Sequence, residues 1–380
     1  MKLYIVRPGD SLFTIARRLG TTAEALAYDN QISDPNKIAV GRALVVEDDT
    51  PGGSLGRTEA AGYTYPSISR ATLTETLPYL TYLIPFSYTL DTSGNLTPSG
   101  GEDLNAAAYA QNVAPLMSIA NLKDEGGFSS DIAHAVLTNQ AAQDNLIRGI
   151  LNALNRYSYY GVVLDFEYVY SFDREAYNQF SRRLADILHR VGAVLGVALA
   201  PKISPDQSGL LYEAHDYRAQ GEAADFIYLM TYEWGYMYGP PMAVSPINQV
   251  RRVLDYAITE IPPGKIMMGM SNYGYNWTLP WRQGTAAKLV SNVNAANLAA
   301  ARRVEIQYDE TSQAPWFQYR DDAGTLHVVW FEDPRSIRAR LRLIPEYGLR
   351  GIFWWNINQL FRPGYLMYES LFDTVKVFSR

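Results

Sequence analysis

At 380 residues, with 47% hydrophobic and 19% charged side chains, the chain is long enough for a barrel-sized domain beside a small module. Its 33 basic and 39 acidic residues leave a net charge of -6, which argues against nucleic acid or an anionic membrane as the main partner. There is no cysteine, so disulfide and thiolate chemistry are excluded, and no apolar run approaches the roughly 20 residues of a membrane span. The apolar stretch after Lys2 is too short for a secretory signal. The 28 Tyr and 7 Trp suit sugar binding, because their rings stack on pyranose faces, and they equally fill cores.

Residues 1–47 read as a compact βααβ unit. A short strand over 3–6 leads to a turn at Pro8, Gly9 and Asp10. Ser11 caps a helix carrying Leu12, Ile15, Ala16 and Leu19 at helical spacing, and Gly20 ends it. Thr21 or Thr22 starts a second helix around Leu26 that closes near Asn30; Ile38, Gly41 and the run 44–46 complete a last strand. This pattern resembles a LysM module. The resemblance implies binding of N-acetylglucosamine-containing glycans, chiefly peptidoglycan and chitin. The groove would lie between Gly9, Asp10, Ser11 and Leu12 on one side and Asn30, Gln31 and Ile32 on the other. A unit that only packs on its neighbour is the other reading. Residues 48–57 are rich in acid, Gly and Pro and read as a linker.

From about residue 58 to 380, apolar runs alternate with helical patterns. Strands are expected at 61–65, 79–88, 114–120, 160–167, 195–200, 226–232, 265–270 and 351–355, with helices between most of them. Eight strands with helical crossovers predict an α/β fold, a (β/α)₈ TIM barrel. The spacing breaks between about 278 and 335, where 303–308, 316–319 and 327–331 alternate like antiparallel strands. This reads as a small α+β insertion beside the catalytic face.

The strand at 160–167 carries the chemistry. Val162, Val163 and Leu164 form a buried run, and Asp165 and Glu167 follow at its C-terminal end. Side chains two apart on a strand share a face, so the two acids are neighbours. Their repulsion raises the pKa of at least one, which can keep it protonated near neutral pH. An acidic strand end that merely meets solvent is the competing reading. Barrel active sites are built at strand C-termini. Those ends also supply Tyr232, Glu233, Trp234, Tyr273, Tyr275 and Trp355, a ring of aromatics around acids. His134, His189, His215 and His327 are scattered without metal-ligand spacing and read as packing or surface residues. The acidic pairs at 124–125 and 321–322 read as solvated loops. No metal and no cofactor are expected.

Together these residues resemble a family 18 glycoside hydrolase. The family's strand-four signature, Asp-Gly-x-Asp-x-Asp-x-Glu, is matched by Gly161, Asp165 and Glu167, whereas Tyr160 and Val163 replace its first two Asp. Met230, Thr231, Tyr232 and Glu233 stand for the strand-six Met-x-Tyr-Asp, and Trp355 for the tryptophan that floors the sugar pocket. The wider runs around Tyr168, Trp234, Tyr238 and Tyr275 are similar to SleL-type spore cortex-fragment-lytic N-acetylglucosaminidases. That resemblance implies retaining, substrate-assisted hydrolysis with Glu167, Asp165 and Tyr232 as catalytic residues, and Glu233, Trp234, Tyr273, Tyr275 and Trp355 at the substrate. It also implies a place in the spore coat or at the coat–cortex boundary, and a monomer is expected. A chitinase and a catalytically silent glycan-binding coat protein remain as alternatives, and Glu167 is the residue that separates enzyme from lectin.

Overall fold

The computed structural model describes residues 1–48, 53–123 and 126–378. Residues 49–52 of the expected linker and the acidic pair at 124–125 lie outside the described residues.

In the N-terminal unit, β1 (Lys2–Ile5) is followed by α1 (Leu12–Leu19), α2 (Ala23–Asp29) and β2 (Ala43–Val46), and β1 pairs antiparallel with β2. The caps explain the boundaries. The Ser11 side chain accepts the Thr14 N–H, the Thr22 side chain accepts the Ala25 N–H, and Gly20 ends α1 in the left-handed region at φ 77°. Val6, Leu12, Ile15, Leu26, Ile32 and Leu44 form its core.

The large domain runs in chain order through β3 (Arg57–Thr64), α3 (Arg70–Thr76), β4 (Tyr82–Pro85), the hairpin β5 (Thr89–Leu90) and β6 (Leu96–Thr97), α4 (Leu104–Ala110) and β7 (Ala114–Ala120). It continues through α5 (Ser130–Leu137), α6 (Gln140–Tyr157), β8 (Gly161–Asp165), α7 (Arg174–Arg190), β9 (Val194–Leu199), α8 (Tyr217–Ala223), β10 (Phe226–Leu229), α9 (Ile247–Glu260) and β11 (Ile266–Ser271). After an insertion come α11 (Pro334–Leu341), α12 (Leu343–Tyr347), β17 (Gly351–Trp355), α13 (Arg362–Leu371) and β18 (Asp373–Thr374). Strands β3, β4, β7, β8, β9, β10, β11 and β17 pair in that order, all parallel, and β17 pairs back onto β3. The sheet is therefore a closed barrel with helices around it. Alternation sorts the side chains: Val163 packs inside with Tyr63, Ala198, Tyr228 and Phe353, while Val162 and Leu164 pack outward under the helices.

The insertion is larger than its sequence pattern indicates. It comprises β12 (Tyr273–Leu279), β13 (Lys288–Ser291), α10 (Asn292–Arg302), β14 (Gln307–Asp309), β15 (Ala314–Arg320) and β16 (Leu326–Trp330), with sheet order β13-β12-β16-β15-β14. Tyr273 and Tyr275 thus belong to the insertion's own sheet rather than to a barrel strand. The strand expected at 303–308 shrinks to three residues, because Arg303 is the left-handed cap of α10 at φ 55°.

The small unit packs directly on the insertion and on α13. Ile306 N–H donates to the Val40 carbonyl, and Gly41 lies so close that a Cβ there would come within 1.9 Å of the Ile306 oxygen. Arg42 is buried between the two units; it donates to Asn297 Oδ1 at 2.8 Å and to the Asn30 carbonyl at 2.7 Å. Arg362 donates to the Tyr28 carbonyl and lies over the Tyr28 ring at 3.8 Å. The end of the expected linker is held as well: Gly53 and Leu55 N–H donate to the Glu369 and Leu371 carbonyls. Burial lowers the Arg42 pKa to about 10, and it has two neutral acceptors in place of a carboxylate. Replacing Asn297 by Leu removes one of them and should destabilise the fold by about 1–3 kcal/mol. Denaturant unfolding of the variant against the parent measures this, and an unchanged midpoint would show that Arg42 finds equivalent partners.

Candidate active site

The C-terminal mouth of the barrel opens into a cleft of ≈ 630 Å³. Asp165, Glu167, Tyr232, Glu233, Trp234 and Trp355 all line it. Strand β8 ends at Asp165, the last residue paired with β7, and Glu167 projects beyond the sheet. The backbone then turns sharply, with Tyr168 left-handed at φ 53°. A non-glycine residue in that region carries strain of about 1–3 kcal/mol, a cost often found at functional sites.

The acids differ in surroundings. Asp165 is buried, and its Oδ1 has no hydrogen-bond partner among the described residues. Burial pushes its pKa up to about 7. Glu167 faces the cleft, and desolvation first, then the charges of Asp165 and Glu233, hold its pKa well above the usual carboxylate range. The pair thus retains a proton at pH values where free carboxylates are ionised.

Glu233 belongs to the opposite wall. It sits after β10 at φ 67°, and its carboxylate accepts hydrogen bonds from the Tyr273 hydroxyl and from the Tyr275 hydroxyl at 3.0 Å. Desolvation raises its pKa while these two bonds pull it down. Tyr273 and Tyr275 are buried and reach the site through Glu233; the insertion therefore buttresses the cleft. Behind this wall a buried network ties the insertion to the barrel. Glu332 accepts from Ser271, Ser336 and Arg340, Arg340 donates to the Ser245 carbonyl, and Ser245 Oγ donates to the Thr231 carbonyl at 2.6 Å, one residue before Tyr232. Trp355 meets Phe86, Tyr63 and Tyr65 edge-on, with ring centroids 4.9, 5.3 and 6.1 Å away. These three aromatics line the cleft but were absent from the sequence-predicted set. They follow the same strand-end rule, applied to β3 and β4, that led to Tyr232 and Trp355.

The residues expected at the glycan groove of the small unit lie in different surroundings. Leu12 and Ile32 are core residues, and Asn30 is buried, accepting the Val45 N–H at 2.7 Å and donating to the Val45 and Leu26 carbonyls. Gln31 Oε1 accepts the Arg362 N–H, and its carbonyl accepts from Asn297 Nδ2. Asp10 accepts from the Tyr4 hydroxyl and the Arg7 N–H, while Gly9 and Ser11 remain exposed. Phe13, next to Leu12 in the chain, is 69% exposed.

Residues 61–359 match the family model of Glycosyl hydrolases family 18, and residues 4–47 match the LysM domain. The chain belongs to glycoside hydrolase family 18. It is 42% identical to the cortical fragment-lytic enzyme of Bacillus subtilis (strain 168), an alignment covering 99% of each chain. The crystal structure of the Bacillus cereus spore cortex-lytic enzyme SleL superposes with a TM-score of 0.94 at 35% identity, covering 99% of this chain and 98% of that one. That of the Bacillus megaterium QM B1551 SleL gives 0.83 at 39% identity, over 99% and 87%. The protein is a family 18 glycosidase with a LysM domain.

The buttress gives a direct prediction. In a Tyr273→Phe, Tyr275→Phe double variant Glu233 loses both bonds that favour its carboxylate, so its pKa rises further. Carboxyl carbon NMR titration of the variant and the parent reads the shift. A Glu233 that titrates at the same pH in both would show that the two hydroxyls do not hold it.

Proposed function

We propose that the protein hydrolyses β-linked N-acetylglucosamine in peptidoglycan fragments of the spore cortex, by a retaining, substrate-assisted route. The observation carrying this reading is the proton-holding pair, Asp165 and Glu167, at one strand end in an aromatic-lined cleft. Similarity along the whole chain to cortical fragment-lytic enzymes supports the substrate.

In this scheme Glu167 donates its proton to the glycosidic oxygen. The bond from the anomeric carbon to that oxygen breaks as the substrate's own acetamido carbonyl oxygen attacks the anomeric carbon, giving a cyclic oxazolinium ion. The unpartnered Oδ1 of Asp165 accepts the acetamido N–H and balances its developing positive charge. Tyr232 donates to the acetamido oxygen, Glu233 and Trp234 contact the same sugar, and Trp355 floors it. Glu167, now a carboxylate, deprotonates the water that opens the intermediate, so configuration is retained. The LysM domain holds the enzyme on its glycan. Because it packs on the insertion, it presents the polymer at a set distance from the cleft instead of trailing it on a free tether. We place the protein in the spore coat or at the coat–cortex boundary, where fragments released by other lytic enzymes at germination would reach it.

Glu167→Gln removes the transferable proton but keeps the shape; the rate should fall at least ~10²-fold, with fragment binding preserved. An unchanged rate would reject the role. The pH profile has a worked sign. A general acid acts only while protonated, so activity is present below the raised Glu167 pKa and is lost as pH climbs through it. Glu233→Gln removes one of the charges that raise that pKa, so the alkaline limb should move to lower pH. A limb that stays in place would separate Glu233 from the titration. The substrate is tested by digesting purified cortex fragments and chitin oligomers in parallel, with mass analysis of products. Release from chitin alone would favour a chitinase, and release from neither a glycan-binding protein.

A further inference from the structure

The barrel's hydrogen-bond ladder ends before it reaches Glu167. The last pair between β7 and β8 is Ala120 with Asp165, and the last between β8 and β9 is Val197 with Leu164. The peptides on both sides of Glu167 therefore have no neighbouring strand. Two buried side chains take the place of one. Asn121, directly after β7, accepts the Glu167 N–H through Oδ1 at 3.0 Å and donates through Nδ2 to the Glu167 carbonyl at 2.9 Å. Nδ2 also donates to the Ser129 carbonyl at 2.9 Å, and the Ser129 N–H donates to the Asn121 carbonyl, so the amide itself is fixed. From the other side, His215 contacts the Phe166 carbonyl through Nε2 at 3.0 Å. The Ala200 N–H is a donor and points at Nδ1 at 2.8 Å, so Nδ1 must accept and Nε2 must carry the hydrogen given to Phe166. The Phe166 ring is stacked on Tyr177, centroids 5.9 Å apart.

We infer that Asn121 and His215 are positioning residues that hold the Glu167 carboxyl at the height where it meets the scissile oxygen. The inference rests on Glu167 being the general acid. One side-chain amide reproduces both bonds that a flanking strand would make to residue 167, and the left-handed Tyr168 next to it needs such restraint. An acid that must both deliver and recover a proton loses rate when it shifts by about 1 Å, on the order of 10²-fold. Neither Asn121 nor His215 lines the cleft, so substrate binding does not depend on them.

Five variants of the full chain are assayed on muropeptide fragments. Asn121→Leu, of similar size without the amide, should lower kcat about 10- to 100-fold and leave KM unchanged. His215→Gln, which keeps a donor and an acceptor, should retain more kcat than His215→Leu. In a Glu167→Gln background, adding Asn121→Leu should cost nothing further, because Asn121 acts through the missing acid. A folded Asn121→Leu or His215→Leu enzyme with parental kcat would overturn the inference. So would a loss that multiplies with Glu167→Gln, the mark of a general structural effect. If Asn121→Leu does not fold, the two His215 variants decide alone. The underlying reading fails separately: Glu167→Gln itself would then keep the parental rate.

Discussion

The structure turns on the cost of holding two carboxylates next to each other away from bulk water. Asp165 and Glu167 are separated by one residue at the end of β8, and the cleft above them is walled by Tyr63, Tyr65, Phe86 and Trp355. Desolvation and mutual repulsion make the doubly charged state unfavourable, so one proton stays on the pair. The rest of the barrel mouth serves that arrangement. The Asn121 and His215 side chains pin the peptides around Glu167, and the insertion holds Glu233 across the cleft through Tyr273 and Tyr275.

Val163 is the informative departure from the family pattern. It packs inside the barrel below Asp165, where the signature has an acid. Asp165 is left with an unpartnered buried oxygen, and nearby the Tyr63 and Ser118 hydroxyls are likewise buried without partners among the described residues. Burial alone then raises the Asp165 pKa, without a third carboxylate below it. The charges of Asp165 and Glu233 then add to desolvation in raising the Glu167 pKa.

Much of this could be read from the sequence because it depends on local pattern. The barrel strands show as apolar runs, and the pairing of Asp165 with Glu167 follows from the two-residue period of a strand. The caps of α1 and α2 follow from Ser11, Gly20 and Thr22. What stayed hidden depends on partners distant in sequence. Asn121 and His215 sit 46 and 49 residues from the groups they hold. Nothing local marks either as different from a buried polar residue. Tyr273 and Tyr275 were assigned to the site through a strand end, yet they reach it from the insertion sheet. The run at 48–57, rich in acid, Gly and Pro, reads as a linker. Its described end is bonded along α13, and Arg42, Gly41 and Gln31 join the LysM domain to the barrel, contacts that composition cannot reveal.

The central claim is that Glu167, beside Asp165, keeps a proton in the resting enzyme near neutral pH. Infrared difference spectroscopy between the parent and Glu167→Gln, in water and in deuterium oxide at neutral pH, tests it most directly. The account predicts a protonated-carboxyl C=O band in the parent that shifts on deuteration and disappears in the variant. A parent spectrum in which Glu167 contributes only ionised-carboxylate bands would contradict it.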